Sequence, residues 1–382
     1  MIENIPYIDR IIDLNSLLDK KSHFLLGPRQ TGKTYLIRHT LENARVYDLL
    51  DAEIYLALSR NPGLISEELQ PQDRIVVIHE IQRLPELLNE VHRLIETSGI
   101  RFLLTGSSAR KLRRGGINLL GGRARTKYLH PLTYKELSRH FELSTAIERG
   151  LIPSIYFSDD PRADLHAYAG SYLQQEILAE GATRNIPAFS RFLRVAALCN
   201  ASIVNFTNVA NDAQVARTTV YEYFEILKDT LLLYELPAWR KSKKRKPLAS
   251  SKYYFFDVGA VAVLQGREFR AGTPEFGEAF ETYLMHELTC FSDYRSGEPL
   301  SYWRSTSGFE VDFIMGDHTA IEVKAEKNLS PNDLKSLRML EEEGKLSRYI
   351  CVSMEPRRRR VGNIEILPYR EFLDLLWDEA FT

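Results

Sequence analysis

Gly27, Pro28, Arg29, Gln30, Thr31, Gly32, Lys33 and Thr34 follow the pattern G-x-x-x-x-G-K-[ST], the spacing of a loop that cradles phosphate. The loop follows the apolar run His23–Leu26 and opens a helical pattern at Lys33. The N–H groups of Gly32, Lys33 and Thr34 can therefore converge on phosphate oxygens, with the helix dipole behind them. Lys33 is expected to reach the β- and γ-phosphates of ATP, and Thr34 to give its hydroxyl to Mg²⁺. The bland alternative is an ordinary glycine-rich turn. A second apolar run, Ile75–Ile78, ends in His79–Glu80. Glu80 can orient or deprotonate an attacking water. An acid is expected before it to hold the Mg²⁺ shell, but His79 stands there, and imidazole is a poor ligand for a hard cation. Hydrolysis is therefore expected to be reduced but non-zero, with nucleotide kept as a structural or switching ligand. The alternative is that His79 holds a metal-bound water.

A third run, Arg101–Thr105, ends in Gly106, Ser107 and Ser108. Thr105 or Ser107 can sense a γ-phosphate, or the segment can simply cap a helix over Ser108–Arg113. In Leu119–Arg125, Arg123 or Arg125 can serve as an arginine finger toward a neighbouring subunit, which would make the protein a homo-oligomer. A solvent-facing arginine is the alternative.

Carboxylates recur near the C-terminus. Phe309–Met315 and Thr319–Lys324 alternate as strands do, around Gly316–Asp317–His318. A three-residue hairpin loop pairs residues whose numbers sum to 634, which sets Asp312 opposite Glu322 on the side of Lys324; a two-residue loop separates them. Phe309, Val311 and Phe313 are expected on one face, and Glu310, Asp312 and Ile314 on the other. Asp312 and Glu322 would bind Mg²⁺ or Mn²⁺ through oxygen. Lys324 would position or activate water and stabilise charge at a phosphodiester. A surface hairpin with an ordinary Glu–Lys pair is the alternative.

The elements that must position these groups follow from periodicity. In the first third, unbroken apolar runs read as strands covered on both faces, and helical patterns at Lys33–Leu41 and Leu84–Glu96 alternate with them, implying a parallel α/β sheet. From about Leu132 to Leu236 the pattern is helical, with Tyr168–Ala179 and Phe189–Leu198 as examples. Asn205–Leu236 suits a helix-turn-helix, with a turn at Asn211–Asp212, a second helix near Thr218–Lys228 capped by Thr218, and a wing strand leading to the basic run Arg240–Lys246. Arg217, Thr219 and Tyr221 would face phosphates or bases of DNA; packing or oligomer contact is the equal alternative. The run Arg357–Arg360 can add a phosphate contact or form a solvated loop. Lys252–Phe256 is again a strand, and after Gly277 a helix, two strands and another helix are expected. The expected domains are 1–135, 136–250 and 251–382.

The chain has 382 residues, 44% hydrophobic and 26% charged, with 50 basic and 51 acidic residues. Those proportions exclude a disordered or collagen-like chain, and the net charge of -1 gives no whole-protein argument for nucleic acid. The absence of a long apolar run predicts no transmembrane helix, and the first ten residues do not resemble a signal peptide. Cys199, Cys290 and Cys351 are scattered, as expected of reduced thiols in a cytoplasmic protein.

The segments GPRQTGKT, VVIHEIQRLPELL, LLTGSSARKL and LLGGRA together resemble a prokaryotic group of AAA-type P-loop ATPases with a C-terminal domain of formerly unknown function. His79 departs from that group, where Asp is usual. The resemblance implies an AAA-type domain and a winged-helix element in the middle region. The spacing D-x9-E-V-K resembles the PD-(D/E)xK nucleases, which implies a restriction-endonuclease-like C-terminal domain. That family commonly adds a glutamate from the preceding helix; Glu281 matches it best, Glu287 second, and Glu278 lies one turn before Glu281. The expected function is an ATP-binding ATPase acting on DNA with a nuclease-like domain. The alternative is a nucleotide-gated DNA-binding or regulatory module with little catalytic activity.

Overall fold

The computed structural model describes residues 6–108, 110, 120–172, 185–241 and 250–381. It forms two compact units, one built on the chain up to Pro131 together with Glu225–Leu232, the other mainly on the chain from Leu132 onward.

The first unit holds five parallel strands: β1 (Ser22–Leu26), β2 (Arg45–Asp48), β3 (Ile75–His79), β4 (Arg101–Gly106) and β5 (Ala124–Tyr128), in the order β2-β3-β4-β1-β5. The central strands β1, β3 and β4 are buried almost throughout, which is why they read as apolar runs. The edge strands β2 and β5 carry Arg45, Arg125 and Lys127 on half-exposed faces and show no such run. The helix Leu87–Ser98 buries Leu87, Leu88, Val91 and Leu94 on one stripe and stops at Gly99, whose φ of 66° few other residues tolerate. Strand β1 lies between β4 and β5 and delivers its carboxyl end to Gly27–Thr34, where open α/β sheets bind ligands.

The second unit contains, in chain order, the helix Ile186–Leu198, β6 (Ser202–Ile203), the helix Phe206–Ala213, the start of the helix Arg217–Asp229, β7 (Leu233–Leu236) and β8 (Lys252–Phe255). The turn between the two short helices falls at Gln214 (φ 55°), not at Asn211–Asp212. The second helix begins at Arg217, so Thr218 lies inside its first turn rather than at its cap. Strand β8 is central in an antiparallel sheet of order β6-β8-β7. Asp257 follows it and is buried. Its carboxylate accepts from Leu151 N (2.6 Å) and Ala260 N (2.9 Å), starting the helix Val258–Gln265 and tying it to the loop at Gly150. A Cβ on Gly150 would come within 2.1 Å of Asp257 Oδ1.

After the helix Pro274–Phe291 comes a mixed sheet rather than two strands: β9 (Leu300–Arg304), β10 (Glu310–Met315), β11 (Thr319–Lys324), β12 (Arg348–Ser353), β13 (Arg359–Val361) and β14 (Ile364–Pro368), ordered β13-β14-β12-β11-β10-β9. The hairpin has the three-residue loop, with Phe313 opposite Ile321 and Met315 opposite Thr319. Alternation along β10 fails, however. A bulge against β9 between Val311 and Ile314 turns both residues into the core around Trp303, so Ile314 does not share the face of Asp312. Among the described residues no disulfide forms; Cys290 and Cys351 are buried and Cys199 half-buried. Among the described residues no helix is long and apolar enough to cross a membrane.

Asp257→Ala leaves two buried N–H groups without an acceptor. The expected loss is about 2–4 kcal/mol of unfolding free energy in urea titrations. A loss below about 0.5 kcal/mol would contradict this anchoring role.

Candidate functional sites

The loop Gly27–Thr34 keeps its shape through contacts only glycine permits. A Cβ on Gly27 would lie 2.3 Å from the Leu129 carbonyl oxygen, and Gly32 has φ 96° at the start of the helix Lys33–Thr40. Lys33 is buried, and its ammonium donates to Gly27 O (2.7 Å) and Pro28 O (3.0 Å). Thr31 donates to Pro28 O (2.8 Å), while Arg29 is half-buried and Gln30 exposed at φ 60°. Arg10 donates to the carbonyls of Thr31 and His130 (2.6 Å each), a brace that sequence patterns do not announce.

Thr34 Oγ1 lies 3.0 Å from His79 Nε2, and His79 Nδ1 lies 3.2 Å from Asp48 Oδ1. With Asp48 as acceptor, Nδ1 carries a proton, and in the neutral ring Nε2 accepts from Thr34. Asp48 was hidden because β2 shows no apolar run; its place at a strand end beside His79 was the available signal. Glu80 is buried in the left-handed region (φ 61°) and accepts from Gln82 Nε2 (2.5 Å), which also donates to Ser107 Oγ (3.2 Å). The Glu80 N–H donates to Thr105 Oγ1 (3.4 Å). Gln82, which sequence reasoning missed, thus joins Glu80 to Ser107, while Thr105 meets Glu80 directly at its N–H. Ser108 Oγ accepts from Arg110 N (2.9 Å), as a cap would; 109 and 111–119 lie outside the described residues. Arg123 is ion-paired with Glu96 of its own unit.

The second candidate site surrounds the strand pair β10–β11. Asp312 Oδ2 accepts from Val323 N (2.8 Å), and Lys324 Nζ lies 2.8 Å from Glu322 Oε1. Among the described residues, Glu322 Oε2 is buried without a hydrogen-bond partner. Glu281 joins from the helix Pro274–Phe291, accepting from Tyr254 OH (2.6 Å). Glu287, the second choice, faces elsewhere and accepts from Tyr134 N (2.7 Å) and Trp377 Nε1 (2.9 Å). Glu278 accepts from Asn200 and Gln265. Glu287 lies six residues beyond Glu281, which at about 100° per residue turns it about 120° around the helix, away from the stripe that faces the strands.

An unexpected residue stands among the carboxylates. Lys252 of β8, its side chain 3% exposed, places Nζ 2.5 Å from Glu310 Oε1, 3.3 Å from Glu281 Oε1 and 3.9 Å from Asp312 Oδ1. Arg304 balances the other oxygen of Glu310 at 3.0 Å. Burial, then Glu281, pushes the Asp312 carboxyl up to about 7. Burial, then Asp312, pushes Glu322 up to about 8. Burial opposes the charge of both lysines, yet the surrounding carboxylates hold Lys252 and Lys324 above the usual lysine range. Among the described residues, no group of three or more His, Cys, Asp or Glu side chains is spaced to hold a metal ion.

At the start of the helix Arg217–Asp229, Tyr221 is 44% exposed, stacks on Phe206 (ring centroids 4.1 Å apart) and accepts from Arg217 (3.1 Å). Of the basic run Arg240–Lys246, residues 242–246 lie outside the described residues, and Lys241 pairs with Asp317 (2.5 Å). In the run Arg357–Arg360, Arg358, Arg359 and Arg360 pair with Glu371, Glu355 and Glu365, so its charge is largely answered within the chain.

Comparison with known proteins divides the chain in three. Residues 19–138 match an AAA domain, 140–270 a domain of unknown function (DUF8612), and 276–372 a domain of unknown function (DUF4143). An uncharacterized protein of Mycobacterium tuberculosis is 26% identical over 333 residues, 82% of this chain and 72% of that one. An uncharacterized protein of Methanocaldococcus jannaschii is 24% identical over 420 residues, 94% of this chain and 86% of that one. Among solved structures, the Aeropyrum pernix ORC1 protein in complex with DNA is similar at TM-score 0.26 and 13% identity, over 67% of this chain and 94% of that one. A signal transduction ATPase with numerous domains from Pyrococcus horikoshii is similar at TM-score 0.23 and 15% identity, over 73% of this chain and 46% of that one. Scores this low carry neither fold nor function across. The match over residues 19–138 and the geometry of Gly27–Thr34 agree: this part of the chain has a parallel-sheet α/β fold that matches an AAA domain with a P-loop.

Proposed function

We propose that the chain is an ATP-binding AAA-type ATPase that acts on DNA, with a metal-dependent C-terminal domain of the PD-(D/E)xK, restriction-endonuclease-like kind. In this reading residues 1–135 bind ATP, 136–250 form a helical region with a winged helix-turn-helix, and 251–382 form the nuclease-like domain. The observation that carries it is the gathering of Glu281, Asp312, Glu322 and Lys324 around one pair of strands. The succession helix, strand, two helices and two strands over 186–255 supports a winged helix, and Arg217 and Tyr221 offer it a cation and a ring for DNA. A homo-oligomer follows if Arg123 exchanges Glu96 for a neighbour's phosphate, and the cytoplasm is the compartment that fits three cysteines outside any disulfide.

At the nucleotide site, Lys33 would exchange the carbonyls of Gly27 and Pro28 for phosphate oxygens. The Thr34 hydroxyl fits Mg²⁺ as an oxygen donor, whereas His79 offers nitrogen and fits it poorly. Glu80 accepts from Gln82 at Oε2, so Gln82 would orient the carboxylate toward an attacking water. At the C-terminal site, the oxygens of Asp312 and Glu322, one of them buried and unpartnered, fit a hard divalent ion such as Mg²⁺ or Mn²⁺. Such an ion would supply Lewis-acid charge at a phosphodiester. Lys324, held protonated, would stabilise developing charge and orient water rather than act as a base. The second reading, a nucleotide-gated DNA-binding or regulatory module, is favoured by Lys252, which already neutralises carboxylates of the face.

Lys33→Ala is expected to weaken ATP binding by about tenfold or more in calorimetry. His79→Asp is expected to raise phosphate release severalfold; an unchanged or lower rate counts against the role given to His79. Nicking of supercoiled plasmid with Mn²⁺ should fall on the order of 100-fold in Asp312→Asn and Lys324→Ala. No nicking by the native chain favours the regulatory module.

Burial raises the Asp312 and Glu322 carboxyls to about 7 and about 8 in the folded chain, above their ordinary 3.8 and 4.5. The folded state therefore binds more protons than the unfolded state between about pH 4 and 8, and stability falls as pH rises through that window. In metal-free buffer Tm should drop from pH 6 to pH 8, and Mn²⁺ should restore it mainly at pH 8. The double variant Asp312→Asn/Glu322→Gln should flatten the profile, apart from the shallower slope left by Asp257 and Glu287.

A further inference from the structure

The carboxylate face has two halves with different electrostatic needs. In one, Glu281, Glu310 and Asp312 surround the Lys252 ammonium at 3.3, 2.5 and 3.9 Å. These spacings suit an ammonium. A hard divalent ion draws its oxygens to about 2.0–2.6 Å, so this half is not a ready metal cage. In the other half, Glu322 is 4% exposed, one oxygen is held by Lys324 and the other has no partner. Lys324 answers the charge of Glu322 from one side, and among the described residues the second Glu322 oxygen has no hydrogen-bond donor.

Lys252 is not a passing surface lysine. Strand β8 is the middle strand of its sheet, pairing through Lys252 with both Ile203 and Leu236, so its side chain direction is set on both sides. Two residues on, Tyr254 reaches the same Glu281 oxygen. A buried ammonium costs several kcal/mol of desolvation unless carboxylates answer it, and here three do.

We propose that Lys252 is a fixed cation holding the place that a divalent ion would otherwise take among Glu281, Glu310 and Asp312, so that the face accepts one divalent ion, at Asp312 and Glu322. This rests on the reading of that face as a divalent-ion site. It makes the face a one-ion site with a protein-supplied partner charge delivered by the β7–β8 strand pair.

The test counts bound Mn²⁺ on the full chain by electron paramagnetic resonance of the free ion, with circular dichroism to follow folding. The native chain is expected to bind one Mn²⁺ at this face, lost in Glu322→Gln, and Lys33→Ala in nucleotide-free buffer excludes the ATP site from the count. Lys252→Met should bind a second Mn²⁺, lost again when Glu281→Gln is added, while Lys252→Arg should stay at one. If Lys252→Met unfolds without metal, Mn²⁺ should restore its fold. Two ions on the native chain, one ion on both the native chain and a folded Lys252→Met, or one ion on the native chain with an unfolded Lys252→Met that Mn²⁺ does not rescue each overturn the proposal while leaving the divalent-ion reading intact. No ion on the native chain but one on Lys252→Met sinks that reading and keeps the role of Lys252. No ion on either chain overturns both.

Discussion

A charged group removed from water needs an opposite charge or a hydrogen-bond partner inside the protein, and that constraint organises both candidate sites. Lys33 is turned onto two loop carbonyls, and Glu80 is held by Gln82. His79 lies between Thr34 and Asp48, while Lys252 is enclosed by three carboxylates. Each reactive group is thus parked on a partner that phosphate, water or a cation would have to displace. Binding at either site is an exchange of partners rather than the filling of a void, so its free energy is a small difference between large terms.

The exchange has a direction at each site. At the loop Gly27–Thr34, neutral carbonyls yield the lysine to charged phosphate oxygens, a gain in Coulomb energy that favours nucleotide. At the carboxylate face, Lys252 supplies positive charge to Glu281, Glu310 and Asp312 and Lys324 to Glu322, and among the described residues one Glu322 oxygen is left without a hydrogen-bond partner. One unpartnered oxygen beside raised carboxyls is a specific demand for positive charge, much narrower than an acidic patch on a surface would make.

The backbone devices that aim these groups are small. The left-handed conformation at Glu80 turns the chain at the end of β3 so that its carboxylate meets Gln82 instead of continuing the strand. The bulge in β10 puts both Val311 and Ile314 into the core, leaving Asp312 between them to reach the N–H of Val323. Neither device has a signature in residue type: a glutamate at positive φ and a bulge without glycine look like ordinary strand sequence.

Local rules determined much from the sequence by itself. The loop Gly27–Thr34 was legible because glycine spacing, an apolar strand and a following helix obey short-range sterics. The register of the β10–β11 hairpin was legible because loop length and period-two alternation leave few pairings. The central strands β1, β3 and β4 were legible because burial on both faces demands apolar residues. Tertiary structure alone decided the rest. Strands β2 and β5 lie at sheet edges, where half-exposed faces admit charges that hide them, and Asp48 was lost with β2. Lys252 stands 58 residues before Glu310 in the chain and reads as one more cation after a basic run; only the pairing of β8 between β6 and β7 brings it into contact with carboxylates from a helix and another strand. Charge compensation acts through space, and no period or spacing in one dimension records which buried acid a distant lysine will meet.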